Sequence, residues 1–419
     1  MHDPGSSRRF DVLLWGATGF TGQLVAETLV RRYGVGQSLR WAIGGRSREK
    51  LERVREALSA IDPRARELAV VVGDSGDRAS LDPLARDAHV VCSTVGPYAL
   101  HGRELVGACV EAGTDYCDLT GEPQFVRAMI DLHHARARVT GARIVHCCGY
   151  DSIPSDLGTL VVQEHARAAH ASRCTEVKYF AGESKGGMSG GTAASMMEVV
   201  EESARDRSVR RLLADPYALD PARHGRGPDG PDQRGVRWDR DLRRWTGPFV
   251  MAAINTRVVR RSNALLGYAW GEDFRYSEAM SFGAGAKGFL VAAAVSAGVA
   301  AAMGAVAVRP VRRALARRVL PASGEGPSRE TRERGYFVSR LVGTLEGAKG
   351  KVVGEVRGQN DPGYGETSKM LSEAAVCLAL DGGRTRSEGG VLTPASCMGM
   401  ALVERLRAAG MTFTARDAS

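Results

Sequence analysis

The eight cysteines of this chain include no CxxC pair, and no histidine-rich spacing surrounds them. Most sit inside apolar runs, so buried thiols are expected rather than a zinc site or a disulfide framework. Aromatic residues are scarce, at 6%, and nowhere interleave with a basic stretch as in a nucleic-acid-binding motif. Nucleic acid is therefore not expected as a partner, although the net charge is +9. Residues 1–9 are polar and lack the apolar core of a secretory signal. No internal repeat, Ser-His-Asp order, paired-carboxylate pattern or metal cluster stands out, so no metal is expected.

What is present is ordinary globular composition, 43% hydrophobic and 25% charged, in a chain of 419 residues that calls for more than one core. The basic excess is mostly arginine. It favours acidic partners: cofactor phosphates, an acidic protein or a membrane surface.

An apolar run, Val12-Leu13-Leu14-Trp15, flows into Gly16-Ala17-Thr18-Gly19-Phe20-Thr21-Gly22 and then into a stretch with helical apolar spacing. Strand, glycine-rich turn and helix together suit a dinucleotide, because bare backbone N–H groups can approach a pyrophosphate at the positive helix end. The alternative is a tight turn without a ligand. A second strand over 39–43 ends in Gly44-Gly45-Arg46-Ser47, where an NAD site commonly places a carboxylate. Gly45, Arg46 and Ser47 instead suit a 2′-phosphate, which favours NADP(H). A third strand over 68–72 puts Asp74 near the expected adenine. A fourth over 89–95 leads through Thr94, Val95, Gly96 and Pro97 into Tyr98. Strands over 114–119 and 143–148 follow, the latter ending in Gly149-Tyr150-Asp151-Ser152. This rhythm predicts a Rossmann-type, doubly wound parallel sheet with ligands at the strand carboxyl ends, where Tyr98, Asp118, Glu122, Tyr150, Asp151 and Ser152 all fall.

Beyond Asp151 the rhythm changes. Residues 185–192 form a glycine-rich loop before a helix capped by Thr192, either an anion site or a plain turn. Residues 220–240 read as a loop or disordered insertion. Residues 288–308 carry no charge, and Arg309, Arg312, Arg313, Arg317 and Arg318 follow at once. Alanine and glycine dominate the segment. A buried or lid-like helix is the first reading, lipid contact through 288–318 the second, and a membrane span the third. Strands over 336–345 and 351–358 and helices over 364–380 and 398–409 complete the chain, the helices packing back on the first sheet.

Several motifs carry a family resemblance. They are the Gly16–Gly22 turn, Gly44-Gly45-Arg46-Ser47, Thr94-Val95-Gly96-Pro97-Tyr98, Asp115-Tyr116-Cys117-Asp118-Leu119-Thr120-Gly121-Glu122, and Gly149-Tyr150-Asp151-Ser152-Ile153-Pro154-Ser155-Asp156. Together they resemble the saccharopine dehydrogenase-like oxidoreductases. The stretches from Asn255 to Leu265 and from Gly326 to Arg329 are similar to the trans-acting enoyl reductases of phthiocerol-type polyketide lipid synthesis. The resemblance runs nearly end to end; phenylalanine is common where this chain has Tyr150. It implies an NADP-binding Rossmann domain over 1–150, completed by helices in 364–419, and a second α+β domain over 151–363. It also implies NADPH-dependent reduction of an α,β-unsaturated acyl thioester on a polyketide synthase carrier domain, in the cytoplasm. Contact with the inner membrane face and homodimerisation are left open. Tyr98 is the first candidate for proton donor or oxyanion partner, against a packing role behind the Gly-Pro turn. Asp151 and Ser152 come next, Asp151 against a helix-capping role. Two other readings stand: an amine or imine dehydrogenase whose polycarboxylate substrate uses Arg257, Arg260 and Arg261, and a non-catalytic NADP-binding scaffold.

Overall fold

The computed structural model describes residues 8–36, 38–186, 190–220, 227–307, 326–386 and 388–418. Six strands alternate with helices at the start: β1 (Phe10–Trp15), β2 (Trp41–Gly45), β3 (Ala69–Val72), β4 (Ala88–Ser93), β5 (Asp115–Asp118) and β6 (Arg143–Val145). The helices between them are α1 (Phe20–Tyr33), α2 (Arg48–Ser59), α3 (Arg78–Asp87), α4 (Tyr98–His101), α5 (Arg103–Ala112) and α6 (Pro123–Thr140). Each element follows from local chemistry. Every residue of β1 is buried, as a parallel strand covered on both faces requires. Leu51, Val54 and Leu58 form the buried stripe of α2, and the Ser47 hydroxyl caps it by accepting from Lys50 N. Gly113, at φ 63°, closes α5.

The next strands, β7 (Cys174–Lys185), β8 (Arg237–Asp239), β9 (Arg244–Gly247), β10 (Arg275–Ser281), β11 (Tyr336–Leu345) and β12 (Lys351–Gly358), belong to a second sheet. Around them run α7 (Ile153–His170), α8 (Gly190–Arg205), α9 (Arg207–Ala214), α10 (Ala252–Leu265), α11 (Gly285–Ala307) and α12 (Arg329–Glu333). The chain ends with α13 (Thr367–Leu380), β13 (Gly390–Leu392), α14 (Pro394–Cys397), α15 (Gly399–Ala408) and β14 (Thr412–Asp417).

The first sheet has the order β13-β6-β5-β4-β1-β2-β3, all parallel. The second, β14-β12-β11-β7-β10-β9-β8, is mixed: only β7 and β10 run parallel. Helix α7 packs on the second sheet, against β7, β11, β12 and β14. A Cβ on its Gly158 would stand 3.1 Å from both Leu341 and Val356, so glycine lets the helix settle on β11 and β12. Helix α13 packs back on β1, β4 and β5, as expected of the final helices.

Two expectations need correction. Residues 220–240 are not all loop: 237–239 form β8, and Asp229 and Asp232 pair with arginines of α10. The apolar helix α11 is not buried; only 11% of its most apolar window is covered. His134 is half-buried, and its Nδ1 accepts from Val391 N and holds β13 in place. Residues 187–189, the Thr192 side chain and Arg309–Arg318 lie outside the described residues.

Candidate functional site

The glycine turn joins β1 to α1 at the carboxyl edge of the first sheet. Gly16 adopts φ +87°, and a Cβ there would stand 2.5 Å from Val95 Cγ2 and 2.8 Å from Thr94 Oγ1. Thr94 Oγ1 donates to the Gly16 carbonyl at 3.1 Å, so the β4 loop braces the turn. A Cβ on Gly22 would meet Gly16 O at 2.1 Å, which fixes how closely α1 packs on the turn. At Gly19 the same addition meets only Gly16 O, at 3.4 Å. Ala17 is buried and its N–H donates to Gly44 O at 3.2 Å. Thr18 and Thr21 are half-buried, and Phe20 packs edge-on to Tyr364 at 5.2 Å beneath the Arg332 guanidinium. No side chain caps α1, so its first N–H groups are available to an anion.

At the neighbouring strand ends, Gly45 lies beside Thr18 and Arg46 is exposed. The Ser47 hydroxyl is engaged in capping α2. Asp74, at the end of β3, is exposed and accepts from Gly76 N at 2.9 Å. The end of β2 carries a guanidinium and no carboxylate, and the bare turn is a cradle that a Cβ would fill. These residues fit an NADP phosphate set.

The glycines separate into two kinds. Gly16→Ala is expected to unfold part of the first sheet. Gly19→Ala has room for its methyl and should fold normally while losing about tenfold or more in NADPH affinity. Thermal melts beside a fluorescence titration would separate the two; unaltered affinity in folded Gly19→Ala would remove the pyrophosphate from this turn.

Across the sheet, a Cβ on Gly96 would lie 3.4 Å from Ser195 Oγ, which places α8 over the Gly96-Pro97 turn. Ser195 also donates to Glu122, a fully buried carboxyl raised by burial. Glu122 caps α4 by accepting from Tyr98 N at 2.9 Å and Ala99 N at 2.8 Å. Asp118, also fully buried, meets His146 Nδ1 at 2.7 Å and accepts from Thr120 N at 3.0 Å.

The candidate reacting side chains separate sharply. The Tyr98 ring is buried against Phe125, and its hydroxyl donates to the Ser93 carbonyl at 3.1 Å. That is the packing role behind the Gly-Pro turn. Ser152 is fully buried, its Oγ donating to Asn255 Oδ1 at 3.1 Å. Asp151 differs from both. It is half-buried, caps nothing, and has no hydrogen-bond partner among the described residues. A Cβ on Gly121 would stand 3.1 Å from its Oδ2, with Met251 Cε beside it at 3.8 Å. Burial pushes the Asp151 carboxyl up to about 6.

Beneath Ser152 lies a buried polar cluster that sequence reasoning missed. Asn255 Nδ2 donates to Glu278 Oε2 at 3.0 Å and to Ser155 Oγ at 3.2 Å. Tyr276 donates to Glu278 Oε1 at 2.7 Å, and burial pushes this carboxyl up to about 7. The three arginines expected for a polycarboxylate are instead consumed by the fold. Arg257 pairs with Asp232, and Arg260 Nε with Asp229 at 2.6 Å. Arg261, 1% exposed, donates to the carbonyls of Leu219 and Val391, both at 2.6 Å. One His–His–Asp cluster, His165, His170 and Asp417, lies near the far end of α7 on the surface; no sequence spacing signalled it.

Comparison with known proteins agrees with this geometry. Residues 12–145 match the saccharopine dehydrogenase NADP binding domain. Rv2449c of Mycobacterium tuberculosis, provisionally named a trans-acting enoyl reductase, is 46% identical over 98% of this chain and 99% of its own. The trans-acting enoyl reductase of Mycobacterium leprae is 41% identical over 97% of both chains. The saccharopine dehydrogenase (L-Glu forming) of Saccharomyces cerevisiae superposes with a TM-score of 0.51 at 13% identity. It covers 97% of this chain and 99% of that one, and shares the fold. With its NADP(H)-binding sheet and full-length kinship to these reductases, the chain belongs to the trans-acting enoyl reductase family of saccharopine dehydrogenase-like oxidoreductases.

Proposed function

We propose that the protein is an NADPH-dependent enoyl reductase acting on an α,β-unsaturated acyl thioester held on the carrier domain of a polyketide synthase, in the making of a lipid. The observation that carries this is the Asp151 carboxyl. Among the described residues it has no hydrogen-bond partner; it stands at the carboxyl edge of the sheet, where burial pushes it up to about 6. When bound, NADPH supplies a hydride for the β-carbon. The chain's own residues then have two tasks, to hold the acyl group against the sheet edge and to deliver a proton to the α-carbon. Asp151 suits the second, because a carboxyl near 6 still holds its proton for part of the time at neutral pH and yields it readily. Ser152 and Asn255 fix the backbone on one side of Asp151. Gly121 keeps the other side open. Ser195 and Met251 stand over the space where the thioester would lie.

The arginines expected to hold the polycarboxylate substrate of a saccharopine-type reaction are engaged in the fold: Arg257 and Arg260 are buried in ion pairs, and Arg261 is buried on two backbone carbonyls. The testing experiment follows NADPH oxidation by the purified protein with an enoyl group on a carrier domain. The same enoyl group on coenzyme A, NADH, and saccharopine serve as parallel arms. Turnover is expected with NADPH and the carrier-bound enoyl group. NADPH binding without turnover in any arm would favour the scaffold reading instead.

A further inference from the structure

A surface helix of a water-soluble fold ordinarily turns a charged face outward. Helix α11 does not. Gly285–Ala305 has a mean hydropathy of 1.9, and only Gly288, Ala292 and Ser296 on it are buried. This stripe, spaced four apart, rests on β9; a Cβ on Gly247 would stand 3.0 Å from Ser296 Oγ. The other face is apolar and bare, with Phe289 at 42%, Leu290 at 65% and Met303 at 55% exposure.

The β8–β9 hairpin beside it adds aromatic and basic groups. Trp238 meets Trp245 at 5.3 Å between ring centroids, and Trp245 meets Phe289 at 5.0 Å. Arg237, Arg240, Arg243 and Arg244 on the hairpin are all exposed. Apolar side chains bounded by tryptophan and arginine are the composition of a surface that sits at a lipid headgroup boundary.

Topology decides between crossing a bilayer and lying on it. Strand β7, before α11, pairs with β11, after it, from Tyr336↔Lys185 to Leu345↔Cys174. The chain on both sides of the helix therefore lies on one side of any membrane. A return crossing would need a second apolar segment, and residues 309–318 contain five arginines.

We propose that the exposed face of α11 and the β8–β9 hairpin form a docking surface for a bilayer containing anionic phospholipid. The helix lies flat, its apolar side chains enter the acyl boundary, and the hairpin arginines contact lipid phosphates. This inference does not depend on the reductase reading, since it rests on the exposure and charge of the surface and is read by vesicle binding.

The test is co-sedimentation of the full chain with phosphatidylcholine vesicles, with and without phosphatidylglycerol. The protein is expected to pellet with the anionic vesicles and to be released by salt. Leu290→Glu combined with Met303→Glu should lower the bound fraction about tenfold or more while NADPH binding, a control for folding, is kept. Arg237→Glu with Arg240→Glu should abolish the preference for phosphatidylglycerol. Failure of the parent protein to pellet, or equal pelleting of the Leu290→Glu, Met303→Glu variant, overturns the proposal. So does a dimer that dissociates in that variant without any vesicle binding by the parent, because a second copy then covers the face.

Discussion

Asp151→Asn is expected to slow NADPH-dependent reduction by about 10²–10⁴-fold, the usual contribution of a positioned acid, while NADPH affinity stays unchanged. The substitution keeps the size of the side chain and removes only its titrating proton. Nothing in the fold depends on that proton, since Asp151 neither caps α7 nor accepts from a described neighbour. The sign of the pH dependence follows from the raised pKa. The carboxyl is protonated below about 6 and ionised above it, so turnover limited by proton delivery should fall as pH rises through that value. In the asparagine variant this limb should be absent from whatever rate remains. Tyr98→Phe provides the contrast. Its hydroxyl serves a core carbonyl, so the cost is about 1 kcal/mol of stability with the rate changed only a few-fold. Steady-state rates across pH beside thermal melts measure both. A flat profile for the parent, or a strong rate loss in folded Tyr98→Phe, would transfer the acid role away from Asp151.

The other large effect concerns the fold. Asp229→Ala is expected to cost about 3–5 kcal/mol, because it strands the buried Arg260 charge without its counterion. Arg260 also donates to the carbonyls of Pro216 and Tyr276, each at 2.8 Å, so in the variant it cannot turn away to solvent without breaking both of these attachments. Replacing both partners, Asp229→Ala with Arg260→Met, should recover much of the loss. Denaturant melts give the two free energies. The same variants test the polycarboxylate reading. If these arginines received substrate carboxylates, removing Asp229 would create saccharopine affinity; no such affinity is expected.

The cofactor half was legible because its signals are local. A strand, three glycines and a helix sit within adjacent residues, and the steric demand at Gly22 is set by Gly16 and Ala17 in the same turn. The long strands β11 and β12 were legible for the same reason. Strand β13 was not, because its three residues have no periodicity, and their place beside β6 depends on His134 more than two hundred positions away. The Glu278 cluster was hidden likewise. Its members stand on β10, α7 and α10, and no spacing along the chain links them. Helix α11 was misread for a different reason. Its apolar composition matches a buried helix equally well, and only the packing around it shows that its outer face is bare.

The return of β13 to the first sheet ties the cofactor half to the order of synthesis. The nucleotide-binding strands β1–β6 emerge early from the ribosome, but their edge partner and the covering α13 lie beyond residue 366. Until then β6 presents an unpaired edge, the kind of surface that invites wrong pairing in a nascent chain. A carboxy-terminal truncation therefore damages the binding of a nucleotide whose every motif lies at the amino-terminal end.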